Sequence, residues 1–250
     1  MGQRHLDEIT LDVIDVVRVA RLKEGTKTTA NRYLALVRAI LRRARDDWEW
    51  LDKVPKVKLY KEAEGRERSL TPEQAKQLLD ELPVHLRDMA LFSLLTGLRQ
   101  ANVLGLEWSK VDLERGHAWV ASSESKNRRP ISVPLSPDAI ELLLKHVGKH
   151  PHRVFTYKDK PITNANTRAW RAALTRAGIE DFRWHDLRHT WATWHRRAGT
   201  PTHELQRLGG WRTASMVERY AHLASDHLAE AADRLGSVVA GYDLATVVKK

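Results

Sequence analysis

Trp184-His185-Asp186-Leu187-Arg188-His189-Thr190, followed by Leu208-Gly209-Gly210-Trp211 and Glu218-Arg219-Tyr220-Ala221-His222, is the stretch on which the reading of the whole chain turns. These pieces gather an imidazole, a fixed cation, an indole N–H and a phenol. If His185 opens a helix, Arg188 lies one turn further along the same face, so both side chains reach one cleft. An imidazole beside a guanidinium suits an oxyanion, above all a phosphate. A phenol beyond the Gly209-Gly210 turn can then act as a nucleophile, provided that a base takes its proton and cations hold the group it attacks. The same residues also have a plainer reading: His-x-x-Arg recurs on exposed helices, and a lone tyrosine is commonly a core residue.

Outward from this stretch, His185 is expected to open a helix that Gly199 closes, and residues 163 to 177 form the helix before it, ending ahead of Gly178. Between residues 111 and 135 the character changes. Gly116 marks a turn, His117 to Ser122 includes the β-favouring Trp119 and Val120, and Ile131, Val133 and Leu135 alternate with Ser132 and Pro134. This predicts a small antiparallel sheet. Its basic turn over 124–129 carries Lys126 at a hairpin tip, and Pro130 and Pro134 put the last strand at an edge. Ser136-Pro137 begins another helix, running towards His146. Earlier, Thr71-Pro72-Glu73-Gln74 supplies a cap, a proline at the first helical position and a glutamine that completes a capping box, so a helix and a new domain begin there. An apolar helix from about Val84 to Leu95 ends at Gly97 and leaves Arg99 at a helix junction.

Residues 10 to 22 read as a first helix ending near Gly25, with Thr28 or Thr29 capping a second. Along that second helix Ala30, Tyr33, Leu34, Val37, Ile40, Leu41, Ala44 and Trp48 recur at three- and four-residue steps, one apolar stripe for packing. Asn31, Arg32, Arg38 and Arg42 lie off it, on a face that is either simply solvated or turned towards DNA. Residues 52 to 68 lack helical periodicity and are densely charged, as a linker would be. At the other end, Leu228, Ala231, Ala232 and Leu235 share one face of a short amphipathic helix, which packs on its own domain or on a neighbour.

The chain carries 42 Lys and Arg against 32 Asp and Glu, a formal charge of +10. That balance favours a polyanionic partner, although solubility alone also accounts for it. No stretch has the apolar length of a membrane span and no signal peptide is visible, so a cytoplasmic location without a membrane partner is expected. The absence of cysteine excludes disulfides, thiolate metal sites and a cysteine nucleophile. A zinc reading of His185, His189, His195 and His203 fails on Arg188, which repels a cation between the first two. Asp186 also stands where a zinc-binding helix needs glutamate.

The order and spacing of these blocks resemble the tyrosine recombinase (phage integrase) family over most of residues 66 to 225. Thr96-Gly97-Leu98-Arg99-Gln100-Ala101-Asn102-Val103-Leu104-Gly105-Leu106 is similar to the family's first arginine box. Lys126-Asn127-Arg128-Arg129-Pro130-Ile131-Ser132-Val133-Pro134-Leu135 is similar to its lysine hairpin. The resemblance implies a mainly α fold with a small antiparallel β-sheet. It divides the chain into a partial helical core-binding domain (1–60), a linker (61–68), a catalytic domain (69–224) and a tail (225–250) exchanged between subunits.

By the same resemblance, Arg99 and Arg188 clamp the nonbridging phosphate oxygens, Lys126 protonates the departing 5′ oxygen, and His185 accepts or shares the Tyr220 proton and bonds the phosphate. Trp211 falls where the family has histidine or tryptophan and donates its indole N–H. Tyr220 attacks, leaving a 3′ phosphotyrosine and a free 5′ hydroxyl; the ester keeps the bond energy, so a second hydroxyl can reverse the step. Asn31, Arg32, Arg38 and Arg42 become DNA contacts. No metal or cofactor is required. The implied partners are double-stranded DNA, a homotetramer on that DNA and accessory DNA-bending proteins, in the nucleoid of a bacterial host of a phage or other mobile element. One residue departs from the pattern: Asn102 stands where an acidic residue is usual, and an amide positions Arg99 without supplying charge. A non-cleaving DNA-binding accessory protein and a type IB topoisomerase are the competing functions.

Overall fold

The computed structural model describes residues 5–62, 68–121 and 130–220, which are mainly helical with small antiparallel sheets. The chain divides into two compact units at residues 66/67. Among the described residues no helix is long and apolar enough to cross a membrane.

In the first unit, helix α1 (Leu11–Lys23) packs on helix α2 (Lys27–Asp46). The cap of α2 is Thr26, whose side chain accepts the Thr29 N–H at 3.2 Å. Thr28 and Thr29, the expected caps, are already helical, because Thr26 is the extended residue from which the helix starts. Ile14, Leu34, Leu41 and Val57 form the centre of this unit, and Ala30 and Ala44 are also buried. The apolar stripe of α2 is thus only half used. Tyr33, Ile40 and Trp48 are exposed, since one neighbouring helix covers a narrower strip than the sequence offers. Residues 51 to 62 are no free tether either. Val57 is buried, Leu51, Val54 and Tyr60 pack on the core, and the Tyr60 hydroxyl donates to the Arg18 carbonyl at 3.2 Å.

The second unit begins with α3 (Pro72–Glu81), where Thr71 and Gln74 form the expected capping box and Pro72 holds the first helical position. Helix α4 (Val84–Thr96) follows and is buried on nearly every side: Leu86, Met89, Ala90, Phe92 and Leu94 sit in the main core. Its buried polar groups are satisfied at once. Ser93 and Thr96 donate to backbone carbonyls one turn back, and Asp88 meets the His146 ring at 3.1 Å. A short helix α5 (Gln100–Leu104) follows Arg99.

Strands β1 (Val111–Asp112), β2 (His117–Val120) and β3 (Ile131–Pro134) make an antiparallel sheet in that order, so β3 is an edge as its proline requires. Its register pairs Ala118 with Val133 and Val120 with Ile131, four side chains that face the core while Trp119 and Ser132 face away. Ser136 caps α6 (Pro137–Leu144). A ribbon of β4 (Thr156–Tyr157) and β5 (Lys160–Pro161) comes next; it turns on Lys158 and Asp159, both at positive φ, and so carries none of the glycine that marks such turns in a sequence. Helix α7 (Arg168–Arg176) starts later than expected because Thr167 caps it. Helices α8 (Asp186–Arg197), α9 (Thr202–Gly209) and α10 (Ser215–Glu218) complete the described fold.

Gly97 ends α4 in the left-handed conformation, with φ +64, and a Cβ there would stand 2.3 Å from the Trp191 ring on α8. Two penalties therefore coincide at Gly97→Ala, a left-handed alanine and an overpacked indole, together ~2–4 kcal/mol. Denaturant unfolding of the whole chain checks this: the variant's midpoint is expected to fall well below that of the wild type, and an unchanged midpoint would mean that helices α4 and α8 do not approach this closely.

Candidate active site

Arg188 lies in the first turn of α8 and is 4% exposed. Its Nη1 donates to the Gly97 carbonyl at 2.6 Å and its Nη2 to the Gly209 carbonyl at 2.5 Å. Those carbonyls close the C-terminal ends of α4 and α9, where backbone acceptors lack partners within the helix and the helix dipole is negative. The guanidinium also lies over the Trp211 ring, 4.2 Å from its centroid. The turn that presents Trp211 needs both its glycines: a Cβ on Gly209 would collide with the Trp211 ring, and Gly210, at φ +59, would meet Ile131 at 2.6 Å. Burial and the charge of Arg99 push the Arg188 guanidinium down to about 9, against an opposing pull from Tyr220. It therefore remains a cation at neutral pH.

Arg99 sits at the junction between Gly97 and α5, and its carbonyl accepts the N–H groups of Asn102 and Val103. Burial lowers its pKa as well. Its Nη1 is buried with no hydrogen-bond partner among the described residues. Asn102 is buried one turn on.

Tyr220 is 2% exposed and packs with Trp191, Ala192, Leu205 and Val217. The Trp211 ring lies 6.1 Å from its own and 5.9 Å from that of Trp191. Its hydroxyl meets Nδ1 of His189 at 2.5 Å. Burial, together with the charges of His185, Arg219 and Arg188, pushes the His189 imidazole down to about 4, opposed by Asp186. His189 is accordingly neutral at physiological pH. His185 is exposed at the start of α8, with its ring edge-on to that of His189, centroids 5.1 Å apart.

Of the residues singled out in the sequence, Arg99, Arg188, His185, Trp211 and Tyr220 thus gather in one unit, and Lys126 lies outside the described residues, as does the 225–235 tail. The sequence alone does not single out His189 or Trp191 for the site; the one signal for His189 is its spacing of four from His185, a pattern that by itself points to a metal pair. In the first unit Arg32 and Arg42 are exposed and Arg38 is half-buried. Asn31 is a correction. It is buried; its amide donates to the Tyr60 carbonyl at 2.9 Å and to Glu62 at 2.6 Å, and accepts the Tyr60 N–H at 2.8 Å. It ties down the segment after α2 rather than facing outward with the arginines.

The sequence pattern that defines the Phage integrase family matches residues 68–227. The chain belongs to the phage integrase family. Among its relatives, the integrase of Salmonella phage P22 is 43% identical over 234 residues, which cover 88% of this chain and 60% of that protein. A shufflon-specific DNA recombinase of Escherichia coli is 33% identical over 245 residues, covering 92% and 62%. The chain therefore spans about three fifths of the length of these relatives. In fold it is similar to the Tn1549 transposon integrase in complex with a circular intermediate DNA, with a TM-score of 0.73 at 18% identity over 92% of this chain and 86% of that one. It is also similar to lambda integrase in a dimer bound to a COC′ core site, with a TM-score of 0.67 at 20% identity over 86% and 81%. At those identities the likeness concerns the fold.

In this phage integrase family chain, Arg188→Lys isolates the tie made by one guanidinium. An ammonium is a point charge that cannot span both carbonyls, so one buried acceptor loses its partner, at ~1–3 kcal/mol. The expected result is a lower thermal midpoint for the lysine variant at full positive charge; equal midpoints would show that charge alone, and not the two-pronged bond, holds α4, α8 and α9 together.

Proposed function

We propose that this chain is the catalytic part, with a portion of a helical DNA-binding domain, of a site-specific DNA recombinase that cuts and rejoins DNA through a 3′-phosphotyrosine intermediate. The observation that carries the reading is geometric: Arg188 is bonded to the Gly97 carbonyl, two residues before Arg99, and the next residue of its helix, His189, is bonded to the Tyr220 hydroxyl. Like charges brought together, one of them with a buried N–H that has no acceptor among the described residues, are stabilised by an anion between them. A phosphodiester is the anion that a nearby phenol can attack.

The residues divide the work by their chemistry. Arg188, already fixed by two carbonyls and the Trp211 face, offers the phosphate a cation whose position costs nothing further to organise. Arg99 supplies the second cation and a donor that has no partner among the described residues. Lys126 protonates the leaving 5′ oxygen. His185, exposed at the beginning of α8, donates to the phosphate at a helix N-terminus, where anions are favoured. Tyr220 is a poor nucleophile at its reference pKa of about 10, so it depends on these cations and on a proton acceptor. Arg32, Arg38 and Arg42 contact the DNA backbone, and strand exchange takes place in a homotetramer on two duplexes, with accessory DNA-bending proteins selecting its direction. A bacterial host of a phage or other mobile element is the setting, and no metal or cofactor takes part.

Recovery of DNA covalently attached to the chain in cells, with the attached residue mapped by peptide mass spectrometry, tests this directly. The wild type is expected to carry one DNA site on Tyr220, whereas Tyr220→Phe keeps DNA affinity and forms no adduct, because only the attacking oxygen is gone. No adduct from the wild type would favour the non-cleaving accessory protein. Adducts without preference for a site would favour a topoisomerase. Adducts that persist in Tyr220→Phe would move the nucleophile elsewhere.

A further inference from the structure

Resemblance assigns the tyrosine's proton to His185, the histidine of the His-x-x-Arg motif, but the imidazole bonded to the phenol at 2.5 Å through Nδ1 is that of His189. We propose that His189 is the proton acceptor for Tyr220: its Nδ1 takes the phenol proton as Oη bonds to phosphorus, and returns it when the strand is resealed. This rests on the transesterification reading above.

The atoms balance. The Oη–P bond forms and the P–O5′ bond breaks, the electron pair leaving on O5′, which takes a proton from the general acid assigned to Lys126. The phenol proton moves to Nδ1, so His189 becomes an imidazolium, and rejoining sends both protons back along the same routes.

Three features of the site fit this role. First, a phenol can donate only to an unprotonated ring nitrogen, and His189 keeps one. Around it stand Arg188 and Asp186 on α8, His185 at its start, and Arg219 beside Tyr220; burial first, and then His185, Arg219 and Arg188, outweigh Asp186 and hold the ring neutral through physiological pH. Second, a phosphate entering beside Arg99 and Arg188 adds the negative charge that raises the imidazole towards the range where a base works well. Third, His189 follows Arg188 directly on α8. The anion clamp and the acceptor are therefore set by the same turn of one helix, which fixes the tyrosine oxygen relative to the phosphorus it must reach. His185, exposed at the helix start, is then committed to the phosphate rather than to the phenol.

The first measurement needs neither variant nor DNA. In the full chain labelled with ¹⁵N-histidine, the nitrogen resonances of His189 at neutral pH are expected to show Nδ1 bare and Nε2 protonated, and the Nδ1 signal is expected to move in Tyr220→Phe. A protonated Nδ1 overturns the proposal. The second uses the DNA recovered on Tyr220, rebuilt as a nicked suicide duplex. His189→Asn places an oxygen near the Nδ1 position that can accept the hydrogen bond but cannot take the proton. It should bind the duplex as the wild type does and form adduct ~100-fold more slowly at neutral pH, a typical share for one general base. Its rate should climb with pH as the phenol ionises by itself, whereas the wild-type rate is level through neutral pH and falls on acidification as His189 becomes charged. His185→Asn should lose rate but keep the wild-type profile. A His189→Asn variant within roughly twofold of the wild type, or a rising profile in His185→Asn instead, overturns the proton-acceptor role. If the wild type itself forms no adduct, the transesterification reading falls first and this role with it.

Discussion

One buried guanidinium carries much of the organisation of the second unit. Arg188 is on α8, but its two hydrogen bonds reach the carbonyl ends of α4 and α9, segments far apart in the sequence. A cation this deeply buried is tolerable only when its donors are used, and helix C-termini are where a fold has spare carbonyls aligned with a negative dipole. The glycines at those ends are needed for the same geometry, since any side chain on Gly97 or Gly209 would occupy the space of Trp191 or Trp211. Position and charge are thus set by a single residue.

From that tie the rest of the site follows by adjacency. Gly97 ends α4 and is followed at once by the turn that holds Arg99; Gly209 and Gly210 are followed at once by Trp211, whose ring covers the guanidinium and also packs near that of Tyr220. His189 is the next residue of α8. A network assembled in this way holds two cations together before any anion arrives: burial lowers the pKa of both, and at Arg188 the charge of Arg99 adds to it. Such preorganisation is what phosphoryl chemistry asks of a protein, because charge neutralisation and alignment make up most of the task.

Much of this was legible in the sequence where a residue type has one structural use. Thr71-Pro72-Glu73-Gln74 can hardly be anything but a helix start, Gly97 after an apolar run ends that helix, and the alternation about Val133 fixes the inward face of β3. What could not be read depended on partners distant in the chain. Asn31 looks like a surface amide until Tyr60 and Glu62 fold back onto it. The β4–β5 turn uses non-glycine residues at positive φ. His185 and His189 are alike as imidazoles four apart, and only the placement of the tyrosine segment distinguishes the half-buried one, bonded to the phenol, from the exposed one. The contact of the Trp211 ring face with Arg188 likewise joins residues that no local pattern links.

The central role proposed for Arg99 and Arg188 is to neutralise a phosphate. The most direct measurement replaces the scissile phosphate of the recovered duplex with a methylphosphonate, which removes the nonbridging negative charge and keeps the shape. Arg99→Ala should cleave the ordinary duplex roughly 100-fold more slowly than the wild type, the scale of one lost oxyanion donor, and should recover most of that loss on the neutral substrate, where one cation suffices. An equal loss on both substrates would contradict the account, because Arg99 would then be serving the fold or the binding of DNA and not the charge of the phosphate.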